Sequence, residues 1–123
     1  MAKILYIEDN PGNRLLVRRI LMVEDHEVIE AEDGPTGIRL AEQEMPDLIL
    51  MDINLPDMDG YQLTRLIRQN PDLAHIPIIA MTANAMEGDR EKTLQAGCDG
   101  YISKPIDVDA LPRQVEKFLK LKR

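Results

Sequence analysis

Acidic, hydroxyl and lysine side chains recur where the apolar runs of this chain end. KILYI is followed by Glu8 and Asp9, and LILM by Asp52, with Asn54 two residues on. IPIIAM is followed by Thr82, and GYI by Ser103, Lys104 and Pro105. EVIEA is followed by Glu32 and Asp33. Singly, each has a plain structural explanation: an aspartate after a strand caps a turn or helix, and a lone lysine is solvated. As a set, with members at the end of every run, they are hard to explain as caps. Carboxylates a few ångströms apart repel by roughly 3 kcal/mol per pair at an effective dielectric near 20. Such crowding suits a hard divalent cation, which takes oxygen ligands and needs one or two protein carboxylates beside water and phosphate. A phosphoryl group would add acceptor oxygens, for which Lys104 and Thr82 are suitable donors. An aspartate such as Asp52 can act as the nucleophile in that chemistry.

This convergence requires the runs to lie side by side. Strands are expected at Lys3–Ile7, Glu27–Ala31, Asp47–Asp52, Ile76–Thr82 and Gly100–Ser103. Helices are expected from Pro11 to about Glu24, Gly34 to Glu44, Asp59 to Gln69 and Ala83 to Ala96, with a last one ending near Leu121. Asn10-Pro11 reads as a cap followed by proline at the first helical position. Pro46 and Asn70-Pro71 stop helices, and Gly97 closes another. Pro112 must fall in the first turn of the last helix, which favours Asp109 over Asp107 as its cap. Gly60 is read as permitting the turn into the third helix. Five strands alternating with five helices imply an α/β domain with a parallel sheet. LILM and IPIIAM are apolar throughout, as central strands covered on both faces should be. EVIEA carries two glutamates and suits an edge. Ligands of open α/β sheets bind beyond the carboxyl ends of the strands. The exits of the first, third, fourth and fifth runs therefore define the candidate site, and Glu32 and Asp33 leave the edge strand farther away.

Length and composition set the bounds. The 123 residues fit one compact domain, 1–123, with 44% hydrophobic and 30% charged residues. No apolar run is long enough for a membrane span, and the N-terminus lacks a signal-peptide pattern. A single cysteine, Cys98, cannot form an internal disulfide, in keeping with a reducing, cytoplasmic location. The net charge of −7 disfavours nucleic-acid binding through a positive face. The basic tail of Lys117, Lys120, Lys122 and Arg123 reads as dipole partners on a solvated helix end. Cys98, Met51, Met81 and Met86 read as core or near-core filler, and His26 and His75 as loop residues without a site role.

The ordered motifs ILYIEDN, PDLILMDINLPDMDG, PIIAMTA and GYISKP span the chain and closely resemble the receiver domains of bacterial response regulators, of the chemotaxis-regulator type. The resemblance implies a doubly wound, flavodoxin-like sheet of five parallel strands in the order 2-1-3-4-5 with five helices. It implies Asp52 as phosphoacceptor and Mg²⁺ (or Mn²⁺) as cofactor. Asp9, Asp52 and the backbone carbonyl of Asn54 would be direct metal ligands, with Glu8 acting largely through water. Thr82 would be the switch hydroxyl and Tyr101 the aromatic that turns inward on activation. Lys104 would pair with the phosphoryl group, ahead of a cis Lys104-Pro105 bond. Asn54 and Asn84 occupy positions that vary with phosphoryl lifetime in the family. The partners implied are a histidine kinase or histidine phosphotransfer protein and a downstream protein target, with neither nucleic acid nor membrane bound directly. The changing surface would comprise the fourth helix, with its thin apolar face of Ala85, Met86 and Leu94, together with Tyr101 and the last helix.

Two other classes compete with a binding switch. A phosphatase of the haloacid-dehalogenase type also uses a strand-end aspartate, Mg²⁺, threonine and lysine. Its Asp-x-Asp-x-Thr pattern would fall on Asp52, Asn54 and Pro56, so the general acid and hydroxyl are missing and there is no room for a cap. The chain is therefore expected to catalyse only its own phosphoryl transfer and dephosphorylation. A DNA-binding output would need a further domain, and the sequence stops just after the fifth helix. The Glu8-Asp9-Asn10-x-x-Asn13 start resembles relay and hybrid-kinase receivers, which leaves a stand-alone regulator and an excised receiver both open. Helical geometry adds a docking expectation. Asn13, Leu16, Val17, Ile20 and Leu21 share the face that packs on the sheet. Pro11, Leu15 and Met22 fall nearly opposite, flanked by Arg18 and Arg19, where a helical phosphodonor would pack.

Overall fold

The computed structural model describes residues 2–83 and 87–120, with the backbone alone for 87–90. The strands are β1 (Lys3–Ile7), β2 (Glu27–Ala31), β3 (Leu48–Asp52), β4 (Ile78–Thr82) and β5 (Gly100–Ser103). The helices are α1 (Pro11–Val23), α2 (Gly34–Glu44), α3 (Gly60–Gln69), α4 (Glu87–Ala96) and α5 (Ala110–Leu119). The strands form one parallel sheet in the order β2-β1-β3-β4-β5. Alternation along each strand divides the core in two. Ile4, Tyr6, Leu48, Leu50, Ile79 and Met81 pack against Val17, Ile20 and Leu21 of α1 and Leu111 and Val115 of α5. Leu5, Ile7, Ile49, Met51, Ile78 and Ala80 pack against Ala41 of α2 and Leu63 and Ile67 of α3. Every residue of β3 and β4 is buried, whereas β2 is a half-exposed edge. No helix among the described residues is long and apolar enough to cross a membrane.

The elements match their expected places, with differences at the ends that have local causes. β3 starts at Leu48; Asp47 before it is tied to β1 twice, its N–H donating to the Lys3 carbonyl at 2.7 Å and its carboxylate accepting the Lys3 N–H at 2.8 Å. β4 starts at Ile78, because Ile76 closes a turn onto the Leu73 carbonyl and Pro77 has no N–H. Asp59 is the cap of α3, accepting from the Gln62 N–H at 2.8 Å, and not its first residue. Asp109 is not the capping side chain of α5. It is already helical, so its carboxylate makes no cap bond, and Asp107 accepts the N–H groups of Asp109 and Ala110 at 2.9 and 3.1 Å. Gly60 is required by close approach, not by a special turn: a Cβ there would come within 2.8 Å of the Ile53 Cα. Gly97 does adopt a positive φ of 110° where α4 ends. Leu16 is 37% exposed, on the rim of the packed face of α1 and not within it. His26 is buried, its Nδ1 accepting the Ala2 N–H at 3.0 Å. Asn84, Ala85, Met86, Leu121, Lys122 and Arg123 lie outside the described residues.

The amino end of the sheet is closed by a residue with no motif to announce it. Arg68 of α3 donates Nε–H to the Gly97 carbonyl at 2.9 Å. Its Nη1 reaches the Ala74 and Ile76 carbonyls at 3.2 and 2.7 Å, and its Nη2 the Asp99 carboxylate at 2.9 Å. The same Asp99 oxygen accepts the Ile78 N–H at 2.9 Å. One guanidinium thus joins α3 to the entries of β4 and β5. Truncating it removes one donor from each of three carbonyls and its ion-pair partner from a half-buried carboxylate. Arg68→Ala is expected to lower unfolding free energy by about 2–3 kcal/mol, measured by urea denaturation. Arg68→Lys should recover only part of the loss, since an ammonium cannot reproduce the fork.

Candidate functional site

The strand order dictates where a site can form. The connection leaving β1 runs into α1 on one face of the sheet, and that leaving β3 runs into α3 on the other. The two exits diverge and leave a crevice between neighbouring strands, the position at which open α/β sheets bind ligands. Glu8 and Asp9 follow β1, and Asp52 is the last residue of β3. Each of these three carboxylates offers an oxygen within 4.8 Å of the others. Glu8 and Asp52 are buried, at 1% and 3% exposure, while Asp9 faces solvent. A cluster of hard oxygen donors, open on one side, suits a divalent cation of the Mg²⁺ type.

Lys104 reaches this cluster from the other end of the chain. Its Nζ donates to Glu8 Oε1 at 3.0 Å and lies 3.2 Å from Asp52 Oδ1. Its backbone N–H is fixed by the Thr82 carbonyl at 2.7 Å, and the Lys104–Pro105 peptide bond is cis. Thr82 is buried at the end of β4, one residue beyond the partner of Asp52 in the sheet register. Asn54 is exposed in the following loop, and its N–H donates to Asp52 Oδ1 at 3.2 Å. Tyr101 is half-buried in β5 against the α2–α3 side of the core. Glu32 and Asp33 do not join the cluster: Asp33 caps α2 through the Thr36 N–H at 2.8 Å, and Glu32 lies 3.9 Å from Arg14.

The two buried acids are held unequally. Burial pushes both towards neutrality, but Glu8 has many donors and Asp52 few. Tyr6 Oη, Asn13 Nδ2 and Lys104 Nζ all donate to Glu8 Oε1, at 3.1, 3.2 and 3.0 Å. The Asn10 N–H reaches Oε2 at 3.4 Å. Burial raises Glu8, but the hydrogen bond shared with Asp52, then Lys104 and the Asn10 N–H, outweigh it and hold Glu8 well below the usual carboxylate range. Burial first, and then the neighbouring Glu8, pushes Asp52 up to about 6. Lys104 is desolvated, yet the two acids hold it above its ordinary value. Burial and Glu8 drive the Tyr6 phenol far upward, so it remains a donor.

Three of these groups escaped the sequence reading. Tyr6 reads only as part of the KILYI strand, Asn13 as part of the packing face of α1, and Arg14 is given no role. Arg14 donates to the Glu8 and Asp9 carbonyls at 2.8 and 3.0 Å, and its Nε lies 3.6 Å from Glu30 of β2. It pins the loop that carries both acids. The only signal was spacing: from the cap Asn10, residues three and four on return to the start of the helix. Pro11, Leu15 and Met22 are all exposed, the latter two at 48% and 52%.

Residues 4–116 match the response regulator receiver domain family. The polar-differentiation response regulator DivK of Brucella anthropi is 40% identical over 116 residues, 94% of each chain, and that of Brucella ovis is equally similar. Among solved structures, the receiver domain of a sensor histidine kinase from Pseudomonas aeruginosa is 41% identical, with a TM-score of 0.89 over 98% of both chains. That structure has a magnesium ion coordinated in its active-site cleft. A putative response regulator from Chloroflexus aurantiacus superimposes with a TM-score of 0.93 at 26% identity, again over 98% of both chains. By motif, identity and fold, the chain belongs to the response regulator receiver domains of two-component signalling.

Proposed function

We propose that this receiver accepts a phosphoryl group on Asp52 from a histidine kinase or histidine phosphotransfer protein, and that the modified domain binds a protein target. The observation that carries this reading is the Lys104 ammonium set between Glu8 and Asp52, in a cluster where three carboxylates lie within 4.8 Å. Asp9, Asp52 and the Asn54 carbonyl would hold Mg²⁺ or Mn²⁺ directly, with Glu8 acting largely through water. When bound, the cation offsets the negative charge of the acids and of the incoming phosphoryl group. The Asp52 carboxylate attacks phosphorus as the donor imidazole leaves, so one P–N bond breaks and one P–O bond forms. Lys104 is already hydrogen-bonded beside Asp52 and would move onto the new phosphoryl oxygens. Thr82 would follow as the switch hydroxyl, drawing Tyr101, α4 and α5 into a changed surface. In this reading the domain is a signalling switch and not an enzyme with its own substrate. It works in the cytoplasm without binding nucleic acid or membrane, as a stand-alone regulator or as part of a hybrid kinase.

The donor must bring its phosphohistidine to the β1–β3 crevice. The exposed side of α1 starts beside Asp9 and carries Pro11, Leu15 and Met22. An apolar stripe on the outer face of a helix is not needed for folding. We infer that a helical partner packs there.

Four outcomes test this reading. With Mg²⁺ and a small phosphodonor, intact-mass analysis should show one base-labile phosphoryl group on the wild type and none on Asp52→Asn; equal labelling of the variant would remove Asp52 from the role. A second outcome concerns pH. Asp52 is more easily ionised in the unfolded chain than in the metal-free fold, so its stabilising contribution is complete near pH 4 and is lost as pH rises through about 6. The stability advantage of Asp52→Asn over wild type should therefore grow between pH 4.5 and 7 without metal. Mg²⁺ should stabilise the wild type by about 2.7 kcal/mol at a hundredfold excess over Kd. Urea melts showing neither trend would count against the shared cluster. Finally, Leu15→Asp should slow transfer from the cognate donor at least tenfold, about 1.4 kcal/mol, and leave labelling by the small donor unchanged.

A further inference from the structure

Asp9 is the exposed member of the acidic cluster, so the place of its carboxylate depends on the backbone that carries it. That backbone is held on both sides of the Asp9 Cα by one guanidinium. Arg14 Nη1 donates to the Glu8 carbonyl at 2.8 Å and to the Asp9 carbonyl at 3.0 Å. Those carbonyls belong to the two peptide planes that flank the Asp9 Cα. Fixing both planes fixes φ and ψ of Asp9, the only soft backbone dihedrals it has. The Asn10 N–H, in the second of these planes, reaches Glu8 Oε2 at 3.4 Å. Arg14 is itself held in place. Its side chain is 15% exposed and its Nε lies 3.6 Å from Glu30 Oε1 of β2. Its own backbone N–H donates to the Asn10 carbonyl at 3.1 Å.

Charge opposes this arrangement. A cation held by Asp9 and Asp52 would meet the like charge of the nearby Arg14, which weakens its binding. A guanidinium so placed can favour a metal only through what it positions. We propose that Arg14 is a positioning residue for the cation: by holding both peptide planes of Asp9 it sets that carboxylate at the crevice, and the gain exceeds the repulsion its charge brings. Glu30 anchors the guanidinium, so the edge strand β2, which supplies no ligand, takes part in the site. The inference rests on the reading of Asp9 as a direct metal ligand.

The test is an NMR titration of the full chain with MgCl₂, following the Asn54 amide, in wild type and variants. Arg14→Ala should raise the Mg²⁺ Kd about tenfold, the low end of what losing an outer-shell partner costs. Loss of a positive charge alone would lower it. Arg14→Lys keeps the charge but not the fork, and should raise the Kd about fivefold, the worth of one net hydrogen bond. It carries the test should Arg14→Ala not fold. Arg68→Ala loosens the opposite end of the sheet and should leave the Kd at its wild-type value. A Kd that stays or falls in Arg14→Ala, a wild-type Kd in Arg14→Lys, or a comparable rise in Arg68→Ala overturns the inference and leaves the metal reading intact. A wild-type chain that binds no Mg²⁺ overturns both.

Discussion

Negative charge concentrated at the carboxyl end of the sheet is the constraint on which the rest of this structure turns. Two buried acids and one exposed acid share a space of a few ångströms. In a folded protein such an arrangement persists only if other groups offset it. Lys104 does so from 96 residues away in sequence, bridging Glu8 and Asp52. The bridge exists only because β1 pairs with β3, β3 with β4 and β4 with β5, in matching register. The site is thus a property of the whole sheet, and no fragment of the chain contains it.

Within the cluster, charge is distributed unequally. Glu8 is the fixed member: strand, helix and loop all donate to it, and Asp52 and Lys104 hold its carboxyl low. Among the described residues Asp52 is the more lightly held, by the Asn54 N–H and a shared lysine. Burial, and then the neighbouring Glu8, outweigh that help and disfavour its anion. A carboxylate so placed gains from a proton or from a cation that offsets its charge. Environment, and not residue type, separates the roles of these acids.

The two ends of the sheet divide their work. At the amino end, Arg68 and Asp99 tie α3 to β4 and β5, and Asp47 ties β3 to β1. Those contacts are well satisfied and have nothing left to give a ligand. At the carboxyl end, donors and acceptors are shared or crowded, and the same groups can be redistributed. Packing and paired charges at the amino end thus hold the sheet that brings the crowded acids of the carboxyl end together.

How much was legible beforehand follows from the range of each interaction. Periodicity and punctuation are local, so the five β–α units, the edge position of EVIEA and the caps at Asn10 and Gly97 could be read directly. Strand-end placement pointed to Glu8, Asp9, Asp52, Thr82 and Lys104 because parallel sheets gather their exits on one side. Composition could not show that Tyr6 turns a core position into a hydrogen-bond donor. Nor could it show that Asn13 faces an acid, or that Arg14 latches the loop beneath it. Each depends on which atoms lie within about 3 Å across different elements, a distance that only packing fixes. The cap of α5 went to Asp107 for the same reason: proline placement was right, but the path of the incoming chain was decided by its contacts. The sequence determined which residue types were available at the crevice, and the tertiary structure decided which of them hold Glu8 still and leave Asp52 exposed to change.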